Sequence, residues 1–217
     1  MTDEIVIVVA GGEPPPRELV RGLPSGAPVI AADGGLENAR TLGLEPNVAV
    51  GDFDSASQAA LDAAVSTGVR VVRYPEAKNA TDLELALDVA LELGPARIHV
   101  LADDGGRLDH LLAALLLLAS PKYEAAAVDG VFGAARLCVI RGERTLAGEP
   151  GELVSLVALH GRAEGVSTEG LEYPLSGETL ETGSTRGVSN VFTAETARVR
   201  VERGVLLAIQ PGRETDS

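Results

Sequence analysis

Two aspartates two residues apart, Asp52 and Asp54, follow a short apolar run at Val48–Val50 and a glycine, Gly51. On an extended chain, residues i and i+2 point the same way, so the two carboxylates would converge on one point with Phe53 turned into the core. Like charges held that close are costly unless a cation lies between them. A divalent metal with oxygen ligands, most simply Mg2+, resolves the conflict, and Asp82 supplies a third ligand. Taken singly, Asp52 or Asp54 reads more readily as a helix cap. The pattern changes the weighting, because it recurs. Asp33-Gly34-Gly35 follows Pro28–Ala32, and Lys78-Asn79-Ala80-Thr81-Asp82 follows Val69–Tyr74. Asp103-Asp104-Gly105-Gly106-Arg107-Leu108-Asp109-His110 follows Ile98–Ala102.

The last of these segments has a second chemical character. Gly105-Gly106-Arg107 at the start of a helix offers backbone N–H groups, the positive end of the helix dipole and a guanidinium, a seat for phosphate. Asp109 on the first turn also complements the helix dipole, and an isolated His110 would more often be a satisfied core histidine than a functional one. Other signatures are absent: no Walker A loop, no kinase catalytic loop, no G-x-G-x-x-G fingerprint and no G-x-S-x-G elbow. Cys138 has no motif around it and reads as a buried structural thiol.

These segments need a frame that brings them together. The runs Ile5–Ala10, Pro28–Ala32, Val48–Val50, Val69–Tyr74 and Ile98–Ala102 are short, apolar and bounded by Gly and Asp, the pattern of strands buried on both faces. Helices are expected between them. One covers Leu36–Leu42 and closes at Gly43, and one runs from Ser55 to Thr67 and closes at Gly68. A third, capped by Thr81 or Asp82, runs to Leu93 with Leu83, Leu87 and Ala90 on one face widened by Ala86, Val89 and Leu93. Leu108–Ala119 is apolar nearly all round and is expected to be a buried helix. Such alternation implies an α/β fold with a parallel sheet covered on both faces. Ligands of such a sheet bind beyond the carboxyl ends of the strands, where the aspartates lie. After about residue 133 the texture becomes short β-branched or alternating runs, at Arg136–Ile140, Leu153–Leu159, Gly165–Glu169, Ala197–Glu202 and Val205–Ile209, expected to form an antiparallel β-sandwich. The domains are therefore placed at 1–132 and 133–217.

Composition limits the partners. The 217 residues carry 18 Lys+Arg against 32 Asp+Glu, a net charge of −14. That balance argues against wrapping nucleic acid and against docking on an anionic membrane. With aromatics at 3% and no Trp, the core must be aliphatic. A single cysteine excludes an internal disulfide and multi-Cys metal sites and fits a reducing, cytoplasmic setting. The N-terminus lacks the pattern of a secretory signal, and the longest apolar run, Leu111–Ala119, is about half a bilayer span.

Taken in order, Ala32-Asp33-Gly34-Gly35, Gly51-Asp52-Phe53-Asp54-Ser55, Thr81-Asp82-Leu83-Glu84 and Gly105-Gly106-Arg107-Leu108-Asp109-His110 resemble the motifs of the thiamine pyrophosphokinase family. Gly170-Leu171-Glu172-Tyr173-Pro174-Leu175 and Gly187-Val188-Ser189-Asn190 are similar to its C-terminal motifs. The resemblance runs over roughly residues 5 to 210. It implies an α/β catalytic domain followed by a β-sandwich, a homodimer with thiamine near the subunit interface, and pyrophosphoryl transfer from ATP to the thiamine hydroxyl, giving thiamine diphosphate and AMP. It also implies that Asp52, Asp54 and Asp82 hold Mg2+. Asp33, Asp82, Arg107 and Asp109 would then serve transfer, Gly34, Thr81, Gly106, Arg107 and His110 the ATP, and Ser189 and Asn190 the thiamine. Two departures stand out. Asn79 takes the place of a commonly acidic residue, and Asp103-Asp104 precedes the glycine pair where the family often has small residues. A pyrophosphokinase for another hydroxyalkyl heterocycle, such as a pterin, and a non-catalytic nucleotide- or thiamine-sensing module are the competing readings.

Overall fold

The computed structural model describes residues 4–53, 57–75, 77 and 79–212. The chain divides into two compact units, residues 1–114 with 128–133, and residues 115–127 with 134–217.

The first unit is built on parallel strands. β1 (Ile5–Val9), β2 (Val29–Ala32), β3 (Val48–Gly51), β4 (Arg70–Arg73) and β5 (Arg97–Ala102) lie in the order β4-β3-β2-β1-β5, each pair parallel. A strand absent from the sequence-based assignment, β6 (Ala127–Phe132), follows β5 in that order. The central strands are buried on both faces, as their unbroken apolar runs require: every residue from Val6 to Val9 and from Val29 to Ala32 is at most 3% exposed. Ile7, Val9, Val29 and Leu101 pack with Ala39 and Leu42 of α2 (Gly35–Leu42). Ala31, Ala49 and Phe53 pack with Ala60, Leu61 and Ala64 of α3 (Gln58–Ser66). α4 (Asp82–Glu92) lies against β1, β2 and β3 and buries Ala86, Leu87, Val89 and Ala90.

The helix ends follow local chemistry. Ser57 caps α3 through its hydroxyl, which accepts from the Ala60 N–H, and Thr81 does the same for α4 with the Glu84 N–H at 3.3 Å. Gly43 closes α2 with φ of 78°, the left-handed turn for which glycine lacks a steric penalty. A short α1 (Arg17–Val20) falls in the Pro-rich segment after β1, where no helix is expected from the sequence.

Two helix-face expectations are corrected. Leu93 is 50% exposed, because α4 ends at Glu92 and Leu93 lies at its C-cap. The apolar helix α5 (Leu108–Leu118) is not buried: among its residues only Leu118 is, while Leu108, Leu112 and Leu116 are 77, 57 and 39% exposed. Their spacing of four residues lines them up as a ridge. An all-round apolar sequence left this helix's orientation undetermined and concealed the exposed stripe.

The second unit is β-rich. β7 (Ala135–Ile140), β8 (Glu143–Ala147), β9 (Leu153–Glu169), β10 (Glu178–Leu180), β11 (Asn190–Val191), β12 (Thr196–Arg200) and β13 (Arg203–Gln210) pair antiparallel throughout. The two runs expected at Leu153–Leu159 and Gly165–Glu169 are one strand, bent where His160 and Gly161 take φ of 55° and 119°. The register with β13 jumps there, from Leu159 opposite Val205 to Glu164 opposite Arg203, so the extra residues form a bulge that turns the strand. Its core, including Ile140, Val154, Leu156, Val166, Phe192, Val199 and Leu206, is aliphatic apart from Phe192. Cys138 is half-buried against it.

At the opposite ends of the parallel strands from the aspartates, Arg97 pairs with Asp129 at 3.1 Å beside His99. These three line a cavity of about 270 Å3 with Ile5, Leu19, Leu23 and Pro24. Burial holds the His99 imidazole below its ordinary value of 6.5, against the partial counter-effect of Asp129 and with the help of Arg97. The folded chain therefore resists a proton that the unfolded chain accepts. This contribution is fully present above pH 6.5 and is lost as pH falls below it. Between pH 7.5 and 5.5 the wild type is expected to lose more thermal stability than a His99→Asn variant, a difference that melting curves at the two pH values will measure.

Candidate active site

The strand order reverses at β1: the chain leaves β1 for β2 on one side and returns to β5 on the other. Loops diverge at such a reversal and open a crevice beyond the carboxyl ends of the strands. Four of those loops carry the residues singled out above.

Asp33 ends β2 in a left-handed conformation, φ 47°, and is 8% exposed. Its N–H donates to the Val50 carbonyl at 2.8 Å, and its carbonyl accepts from the Leu36 N–H at 3.1 Å, which fixes it between β3 and α2. Gly34 is the N-cap of α2, and a Cβ on Gly11 would lie only 3.6 Å from Gly34 Cα, so the loops after β1 and β2 approach backbone to backbone. Gly51 ends β3 with φ of 153°. A Cβ there would stand 3.1 Å from Asp82 Oδ1 and 3.2 Å from Asp33 Cβ. Two acidic side chains from different strand ends thus border one glycine, and the missing Cβ is what admits them.

Asp52 follows directly and is half-buried. Phe53 is in the core, 7% exposed, as expected. The extended geometry assumed for Asp52–Asp54 does not hold, because Phe53 takes φ of 62°. The aromatic ring packs in the α2–α3 core, with the Arg73 guanidinium 5.2 Å over its face. Asp54 lies outside the described residues. Among the described residues no three His, Cys, Asp or Glu side chains come close enough together to hold a metal ion. The Asp82 carboxylate at Gly51, with Asp33 beside it, is nonetheless of the hard oxygen-donor type that Mg2+ takes.

Thr81 caps α4 and Asp82 is the helix's first residue, which aims the carboxylate at the strand ends. In the β5 loop, Gly106 turns the chain with φ of 71°. Arg107 binds Asp109 through two hydrogen bonds, Nη2 to Oδ2 at 2.6 Å and Nε to Oδ1 at 3.2 Å. Both side chains are well exposed, at 68 and 64%. The Arg107 hydrogen bonds hold the Asp109 carboxyl below its ordinary 3.8, and Asp109 raises Arg107 in return. His110 is exposed on the same turn, so it is not a core histidine.

In the second unit Ser189 has φ of 56°, an exposed side chain, and an N–H that donates to Ser155 Oγ at 3.1 Å. Asn190 is 2% exposed. Its amide donates to the Tyr173 carbonyl at 2.7 Å, and its oxygen accepts from the N–H groups of Tyr173 and Val191 at 3.0 and 2.9 Å. Asn190 therefore ties the Gly187–Asn190 segment to the Gly170–Leu175 segment. Tyr173 and Val188, at 53 and 44% exposed, stand out beside that tie. Both lie in the motifs quoted from the sequence, where only Ser189 and Asn190 were given a role. Also missed was Asn38, 9% exposed on α2, whose amide donates to the carbonyls of Ala10 and Gly12 at 2.9 Å each.

Comparison with known proteins identifies the family and the fold. Residues 24–128 match the family profile described as thiamin pyrophosphokinase, catalytic domain, and residues 139–206 match thiamin pyrophosphokinase, vitamin B1 binding domain. The thiamine pyrophosphokinase of Bacillus subtilis strain 168 is 28% identical, over 96% of this chain and 98% of its own. The crystal structure of thiamine pyrophosphokinase from Bacillus subtilis superposes with a TM-score of 0.83 at 25% identity, covering 96% of this chain and 99% of that one. That of thiamin pyrophosphokinase from Geobacillus thermodenitrificans gives 0.81 at 26%, covering 97 and 99%. The Candida albicans thiamin pyrophosphokinase, at 15% identity and a TM-score of 0.79 over 96% of this chain and 89% of that one, shares the fold. An α/β unit with an acidic strand-end crevice, followed by a β-rich unit, is here the frame of a phosphate-transferring enzyme. The chain belongs to the thiamin pyrophosphokinase family.

Replacing Asn190 with Ala removes three hydrogen bonds to part-buried backbone groups, so it is expected to lower the unfolding free energy by about 2–3 kcal/mol. Urea unfolding of the variant beside the wild type checks this.

Proposed function

We propose that this chain transfers the pyrophosphoryl group of ATP to the hydroxyl of thiamine, giving thiamine diphosphate and AMP. The observation that carries the reading is the meeting of Asp33, Gly51 and Asp82 at the strand ends. In this reading Asp52, Asp54 and Asp82 hold a divalent cation, Mg2+, which when bound neutralises phosphate charge and favours in-line transfer. Gly34, Gly106 and the Thr81 hydroxyl bind the nucleotide, and His110 lines the phosphates. The Arg107 guanidinium exchanges the Asp109 carboxylate for a phosphate and so opposes the negative charge that develops during transfer. Asp33, buried at its strand end, and the released Asp109 are the carboxylates available to accept the hydroxyl proton of thiamine. Ser189 contacts thiamine, and Asn190 shapes that site by holding Tyr173. Residues 1–132 thus serve ATP and metal, and residues 133–217 serve thiamine.

A homodimer is supported by the ridge of Leu108, Leu112 and Leu116, which a second copy would cover. The lone Cys138 suits the cytoplasm, and among the described residues no helix is long and apolar enough to cross a membrane.

AMP release from ATP that depends on added thiamine, is lost with EDTA and returns with Mg2+ is the expected result; AMP release without thiamine would overturn the substrate reading. Asp54→Ala or Asp82→Asn is expected to lower kcat about 100-fold or more with the melting temperature unchanged. Arg107→Ala is expected to lower kcat by about 100-fold and to leave KM for thiamine in place, which steady-state kinetics will show.

A further inference from the structure

Two loops and helix α2 are joined by contacts that the reaction itself does not require. Asn38, buried on α2, holds the loop after β1 by donating to the Ala10 and Gly12 carbonyls. Gly12, with φ of 90°, is the floor on which Asp103 rests: a Cβ on Gly12 would fall 2.7 Å from Asp103 Cβ and 2.9 Å from its Oδ2. Asp103 in turn accepts the Gly105 N–H through Oδ1 at 3.0 Å. The next residues are Gly106, in a left-handed turn, and Arg107.

We propose that Asn38 and Asp103 are positioning residues that set the Gly105–Arg107 loop for the triphosphate, a proposal that rests on reading this loop as the phosphate seat. Two adjacent glycines carry the largest backbone entropy of any dipeptide, and a free loop would have to lose it when ATP binds. A carboxylate beside a phosphate site is electrostatically adverse, so its presence needs a compensating role. One oxygen of Asp103 fixes Gly105, while the rest of the side chain lies on the β1 loop that Asn38 holds from behind. The loop is thus ordered before ATP arrives, which lowers the cost of closing around the phosphates. Only glycine fits at position 12, on steric grounds as well as by φ.

The test compares Asp103→Ala, which removes the acceptor, with Asp103→Asn, which keeps an oxygen at Oδ1. Asp103→Ala is expected to raise KM for ATP by about fivefold with kcat near wild type, the worth of one net hydrogen bond. KM for thiamine and the melting temperature should not move. Asp103→Asn should stay within about twofold of wild type on all counts. Hydrogen exchange, read without substrates, should show the Gly105 amide about tenfold faster in Asp103→Ala and near wild type in Asp103→Asn. Asn38→Ser should speed the same amide, since it loosens the floor. Wild-type exchange and wild-type KM for ATP in Asp103→Ala would overturn the proposal, as would an Asn variant no better than Ala. A wild-type protein that makes no AMP would defeat the functional reading instead, and the exchange measurements would still decide whether the buttress exists.

Discussion

The arrangement of this chain depends on how closely backbone can approach backbone at the ends of parallel strands. Negative side chains from β2 and α4 reach the same small volume because Gly51 has no Cβ to exclude them. The loops after β1 and β2 touch because Gly11 and Gly34 face each other. With ordinary residues at these positions, the strand ends would be held apart and the carboxylates could not share a site. In the proposed reading, a hard cation would offset the like charges brought together there.

A second constraint is that the crevice is assembled from segments far apart in sequence, each anchored by something local. Asp33 is pinned by backbone hydrogen bonds to β3 and α2, Asp82 by its place on the first turn of α4, and Arg107 by the Asp109 carboxylate. Left-handed backbone at Asp33 and Phe53 marks where the chain departs from low-energy geometry to bring these anchors into line. Such departures gather at functional sites because a rigid surround must hold them.

The parallel sheet was legible because its strands are buried on both faces and so appear as uninterrupted apolar runs between Gly and Asp. The caps of α2 and α4 were legible because Gly43 and Thr81 act locally. α5 was not: its side chains are apolar on every side, and only the packing decides that Leu108, Leu112 and Leu116 face outward. β9 appeared as two strands because His160-Gly161 resembles a turn, whereas the bulge continues the strand. In the site, the acidic residues announced themselves by charge and position. Asn38 and Asp103 did not, since one is a neutral amide inside a helix and the other stands among several acids. Asn38's partners, and the Gly12 backbone on which Asp103 rests, belong to a distant loop, which no local pattern encodes.

The length of β9 also bears on how the second unit comes apart. Its first half pairs with β13 and β11, and its second half with β10 and β12. One continuous stretch of chain is therefore shared by four of the six ladders among β7–β13. Pulling it loose at either end frays neighbours at the other, so this half of the protein is built to melt in a single step rather than strand by strand.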